Sequence, residues 1–182
     1  MVRSKILSIL DSIKPLDEME KDHLSVTKDL VDSKKNIFRP KALDLHLVSY
    51  FVLIDEKKKK VLLVDHKKGA LWLPTGGHVE DNEHPYDTVV REAKEELNIS
   101  AIFMLDEPLF LTICNTTITP KHPVSHKDIS FWYVLKGNSD LIYEYDKREF
   151  HSIFWFDFDQ VPFEKADPNM KRFLEKLLQR FF

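Results

Sequence analysis

The chain has a single cysteine, Cys114, among its 182 residues. An internal disulfide is therefore excluded, and a reducing cytoplasm is the expected compartment. No apolar run approaches the roughly 18 residues needed to span a bilayer, so no membrane partner is expected. The opening residues Met1-Val2-Arg3-Ser4-Lys5-Ile6-Leu7 lack the long apolar stretch and small-residue cleavage site of a secretion signal. A basic excess is also missing: the formal net charge is −3, which argues against a general nucleic-acid binder. No internal repeat, low-complexity tract, Ser/His/Asp order or cysteine-protease signature is present.

What is present fits an ordinary globule, with 43% apolar and 31% charged residues in a chain long enough for one well-packed domain. Residues 1–35 read as a helical arm ahead of a main domain at 36–182. Ile6, Leu7, Leu10 and Ile13 share one helical face, Pro15 ends that helix, and Leu16, Met19, His23, Val26 and Leu30 mark a second face. The arm either packs on the main domain or contributes to a homodimer. Arg39 lies in a connector and is either solvated or available to a phosphate.

Residues 44–54 form a strand that is apolar on both alternating faces, the mark of a central strand. Residues 55–60 are a polar turn whose lysines need no ligand, and residues 61–65 return as a strand. A short strand at 71–73 stops at Pro74. Trp72, just ahead of Gly76 and Gly77, is a packing residue or a stacking platform for a ligand ring. Further strands are expected at 99–104, 109–119, 129–135 and 151–156, with loops at 119–125 and 137–150. Asp167 and Pro168 start a closing helix with Met170, Phe173, Leu174, Leu177, Leu178 and Phe181 on its apolar face.

The stretch from Gly76 to Ile99 dominates the chemistry. A glycine turn leads into a helix begun by His84 and Pro85 and ended by Asn98, which tolerates the left-handed conformation. At about 100° per residue, Glu92, Glu95 and Glu96 fall within an arc of roughly 100°. Tyr86, Val89, Val90, Ala93 and Leu97 occupy the adjacent arc and face a core. Clustered carboxylates raise one another's pKa unless a cation neutralises them, and a hard divalent metal is the economical explanation. The plain alternative is a solvated face with ion pairs to Arg91 and Lys94.

Gly77, Glu83, Arg91-Glu92, Glu95-Glu96 and Ile99 stand at the intervals of the Nudix box, G-x5-E-x7-R-E-U-x-E-E-x-G-U, where U is a bulky apolar residue. The chain resembles the Nudix hydrolases over these 23 of its 182 residues. It departs from them at Ala93, small for its position, and at Asn98, which replaces the final glycine. The segment 73–80 also resembles a bacterial-type subgroup in which a segment like His126-Lys127-Asp128 opens a strand across the pocket. The resemblance implies an α/β/α sandwich with a mixed sheet. It also implies hydrolysis of a nucleoside diphosphate linked to another group, assisted by Mg2+ or Mn2+. It assigns Glu92, Glu95, Glu96 and the Gly76 carbonyl to the metal. Glu92 is the first choice to activate water, and Arg91 is expected to hold Glu83 and a ligand carboxylate in place. Glu144, Asp146 and Glu149 are candidates for a further acid, and His78, His122 and His126 for the pocket wall.

Two other classes compete. A nucleotide-sensing Nudix-fold module would bind without turnover, but such proteins commonly lose box acids that this chain keeps. A prenyl-diphosphate isomerase would need a catalytic cysteine motif that Cys114 does not have. The nucleotide substrate itself is open; oxidised nucleoside triphosphates, nucleotide sugars, ADP-ribose and dinucleoside polyphosphates all fit the family.

Overall fold

A computed structural model describes residues 2–33, 35–39, 41–42, 44–119 and 122–182, with backbone alone for 116–119 and 122–125. The described strands form one seven-stranded mixed sheet. Strand β1 (Leu45–Asp55) is central, as its two apolar faces require. Leu47, Phe51 and Leu53 enter one core cluster, and Val52 and Ile54 enter another on the opposite face.

One side of β1 is paired in parallel with β6 (His122–Lys136), from Leu45 opposite Lys127 to Ile54 opposite Lys136. The other side is shared between two strands. Residues 48–51 pair with β4 (Thr75–His78), whereas only Ile54 and Asp55 pair with β2 (Lys60–His66). Strand β2 then takes β3 (Leu71–Leu73) and β7 (Phe150–Asp157) as antiparallel neighbours. The sheet thus forks where β4 and β2 part, and a cleft opens in the fork.

The edge strand β5 (Phe110–Thr119) pairs with β6 and is capped by the arm. The arm consists of α1 (Val2–Ser12) and α2 (Glu18–Asp32). Edge amides that would otherwise be open to another strand are used internally: Leu111 donates to Glu20 Oε1 at 3.1 Å and Ile113 to His23 Nδ1 at 3.3 Å. Glu20 also accepts from Lys176 Nζ at 2.6 Å, and Arg172 reaches Asp17 at 2.7 Å. Both cations belong to α4 (Met170–Phe181), which covers the face opposite α3 (Pro85–Leu97). The result is an α/β/α sandwich in which Ile6, Leu10, Leu24 and Val31 of the arm share a core with Leu47 and Phe51.

Several sequence expectations need correction. The buried face of α2 is Glu20, Leu24, Thr27 and Val31, while Met19 and Val26 are exposed. The buried ion pair with Lys176 overrides apolarity there. Gly76 and Gly77 lie in a strand rather than a turn; of the loop expected at 119–125, Thr119 belongs to β5 and residues 122–125 to β6, while residues 120 and 121 lie outside the described residues. Residues 99–104 form no strand; only Phe103 bridges to Leu135. Helix α4 begins at Met170, after Asp167 caps the preceding turn through the Asn169 amide. Val90 and Leu178 are exposed, outside the apolar faces assigned to them.

Candidate active site

Two glycines let α3 lie against β4. Gly77 has no side chain where the Glu92 carboxylate sits, since a Cβ there would be 1.9 Å from Glu92 Oε1. Gly76 adopts φ of +140°, and a Cβ on it would lie 2.1 Å from the Ser49 carbonyl oxygen. Its amide donates to Glu96 Oε2 at 2.8 Å, fixing that carboxyl at the strand. The His84 imidazole accepts the Tyr86 amide at the start of α3, and Asn98 ends the helix with φ of 53°. Helix position is therefore set at both ends.

Arg91 organises the acids around it. It meets Glu83 with two hydrogen bonds, at 2.9 and 3.1 Å, donates to the His78 carbonyl at 3.2 Å, and holds Glu92 Oε1 at 2.6 Å. Glu83 is further occupied by the Glu80 amide and the Thr88 hydroxyl, which makes it a positioning group. Glu95 is largely exposed and lies 3.5 Å from Arg91. Lys94 leans away to Asn98 rather than balancing the acids. Burial raises the pKa of Glu96 well above the carboxylate range, and the neighbouring Glu92 raises it further. Burial also raises Glu92, with Arg91 opposing. Two carboxyl groups so placed are short of positive charge, as a cation-binding pair would be.

Both acids line the fork of the sheet, a cleft of about 440 Å³. Arg39, His66 and Lys68 bring basic groups to it, and Tyr50 and Phe150 supply ring surface. His78, His126 and Glu149 also line it, together with Gly76 and Gly77. His78 is held neutral at pH 7, its pKa lowered to about 4 by burial and then by His46 and Arg39.

Not every sequence candidate reaches the cleft. Trp72 packs edge-on against Phe156 with ring centroids 5.0 Å apart, and its carbonyl accepts the Asp167 amide. Glu144 is held by Asn98, and Asp146 by Arg148, which lowers its pKa to about 2. The side chain of His122 lies outside the described residues. His46, His66 and Lys68 were not singled out from the sequence, and Asp128 was named only within the 126–128 segment, because only the parallel β1–β6 pairing and the β2–β3 bend bring them together.

The sequence profile of the NUDIX domain matches residues 45–177. The chain belongs to the Nudix family. With its box acids at the cleft, it is a Nudix hydrolase. Similar solved structures agree on the fold. A NUDIX-family hydrolase from Clostridium perfringens superposes with a TM-score of 0.55 at 24% identity, covering 74% of this chain and 97% of the other. A MutT NUDIX hydrolase from Burkholderia pseudomallei gives 0.55 at 18% identity, covering 71% and 95%. The dihydroneopterin triphosphate pyrophosphohydrolase of E. coli gives 0.52 at 17%, covering 76% and 97%. No curated protein matches the chain.

Proposed function

We propose that this Nudix hydrolase cleaves the diphosphate linkage of a nucleoside diphosphate joined to another group, using Mg2+ or Mn2+. The observation that carries the reading is the pair Glu92 and Glu96, one half-buried and one buried carboxyl against a glycine strand, with one guanidinium between Glu92 and Glu83. Glu92, Glu96, the more exposed Glu95 and the Gly76 carbonyl would hold the ion, which supplies charge neutralisation of the diphosphate and a lowered pKa for bound water. Arg91 keeps Glu92 aimed at the cleft while tying it to Glu83. Glu92 is the group to take the proton of the attacking water, and Glu149 across the cleft is the further acid. Arg39 and Lys68 offer charge to phosphate oxygens, and His126 and the neutral His78 offer polar contacts.

The test is a panel of nucleotide-diphosphate compounds, with a pterin triphosphate added because one similar structure is named for that substrate. Each is assayed with Mg2+ and with Mn2+. Release of a nucleoside monophosphate or a shortened nucleotide supports the reading. Tight nucleotide binding with no turnover across the panel would instead make the protein a sensor.

A further inference from the structure

A second group of ligating side chains lies on the sheet surface of the same cleft. His46 on β1 stands opposite Asp128 on β6 in the parallel register, and His126, two residues earlier, shares that face. Both imidazoles bring Nε2 to the same oxygen: His46 is 2.9 Å and His126 3.1 Å from Asp128 Oδ1. The two rings stack at 4.8 Å with 22° between planes. One ligating atom from each of the three residues falls within 4.8 Å of the others. All three are buried, at 0%, 6% and 6% exposure for His46, His126 and Asp128.

Among the described residues, neither ring nitrogen of His46 makes a geometrically sound hydrogen bond, despite its complete burial. An imidazole left so is costly unless something else meets its lone pair. The convergence of two nitrogens on one carboxylate oxygen supplies what a cation needs. We propose that His46, His126 and Asp128 form a second cation site, distinct from the α3 carboxylates and suited to a nitrogen-seeking divalent ion such as Zn2+ or Co2+. The donor set decides the class of ion: imidazole nitrogens suit zinc and its neighbours, whereas magnesium prefers oxygen. Three protein ligands are the complement of a zinc site that keeps one position open. His126 and Asp128 line the cleft, so the open position is reached from there, and His78, its ring 4.7 Å from that of His46, flanks the group.

Binding is read without turnover, so the outcome is independent of the hydrolase reading. Full-length protein is stripped with EDTA, dialysed, and titrated with Co2+ while visible absorption is recorded. Low-coordinate, nitrogen-ligated Co2+ absorbs much more strongly than the six-coordinate, oxygen-bound ion. The expected result is one equivalent of an intense band that Zn2+ displaces. The band should persist in the E92Q/E96Q double variant, and affinity should fall at least about tenfold in H126Q and in D128N. Circular dichroism checks that each variant is folded. The proposal is overturned if wild-type protein gives only the weak six-coordinate spectrum. It is overturned equally if the band vanishes in folded E92Q/E96Q, or survives unchanged in H126Q and D128N.

Discussion

A Cβ on Gly77 would lie 1.9 Å from Oε1 of Glu92, so the position of a candidate metal ligand depends on the absence of a side chain one strand away. The obstructed atom is the free end of a glutamate, which can swing aside. Gly77→Ala should therefore cost less than about 1 kcal/mol of stability while lowering kcat/KM by about 100-fold or more. At Gly76 the opposed atom is the Ser49 carbonyl, and φ is +140°. Gly76→Ala should destabilise the fold by about 2–4 kcal/mol. Urea unfolding and steady-state kinetics on the two variants separate these effects. Equal loss of stability in both would contradict the packing described.

Glu20 joins three elements, since its carboxylate takes the Leu111 amide of β5 and the Lys176 ammonium of α4 from its own place on α2. Removing one partner of a buried pair leaves the other charge unmatched, which costs about 3–5 kcal/mol. Glu20→Ala should lose that much, and Lys176→Met combined with Glu20→Met should recover a large part of it. A double-mutant cycle by chemical denaturation measures the coupling. Additive losses would mean that Glu20 and Lys176 do not act as a pair.

Asp167 supplies a pH test that does not depend on the α3 carboxylates. Burial raises its pKa from 3.8 to about 6, against the opposing hydrogen bonds from Asn169. A carboxyl raised on folding contributes stability that is fully present below its unfolded value and is lost as pH rises through the folded one. Asparagine can still accept the Asn169 amide but does not ionise. Asp167→Asn should therefore gain about 1–3 kcal/mol relative to wild type between pH 4 and pH 7.5. Unfolding curves at those two values check it, and a difference that does not change with pH would refute it.

Features governed by neighbours in sequence were legible from the sequence. The acid arc of α3, its buried stripe at Val89, Ala93 and Leu97, the left-handed Asn98 and the central β1 all follow from local periodicity or backbone preference. Features governed by distant partners were not. Glu20 is a charged residue on a helix surface until Lys176 arrives, so the apolar pattern pointed to Met19 and Val26 instead. His46 meets Asp128 only through a parallel strand pairing, which no local signal encodes. Trp72, one residue from the end of its strand, is drawn to Phe156 rather than to the cleft. Residues 122–125, with Pro123, read as loop by composition, yet the long pairing of β6 carries their backbone as strand.

Glu96, held against the Gly76 amide, is proposed here as part of a divalent-cation site that hydrolyses a diphosphate bond. The most direct measurement is the rate on the best substrate of the panel, with Mg2+ and with excess EDTA, for wild type and Glu96→Gln. EDTA should abolish turnover reversibly, and Glu96→Gln, folded by circular dichroism, should lower kcat by about 1000-fold or more. Turnover that survives EDTA, or a Glu96→Gln rate within about threefold of wild type, would contradict that role for Glu96.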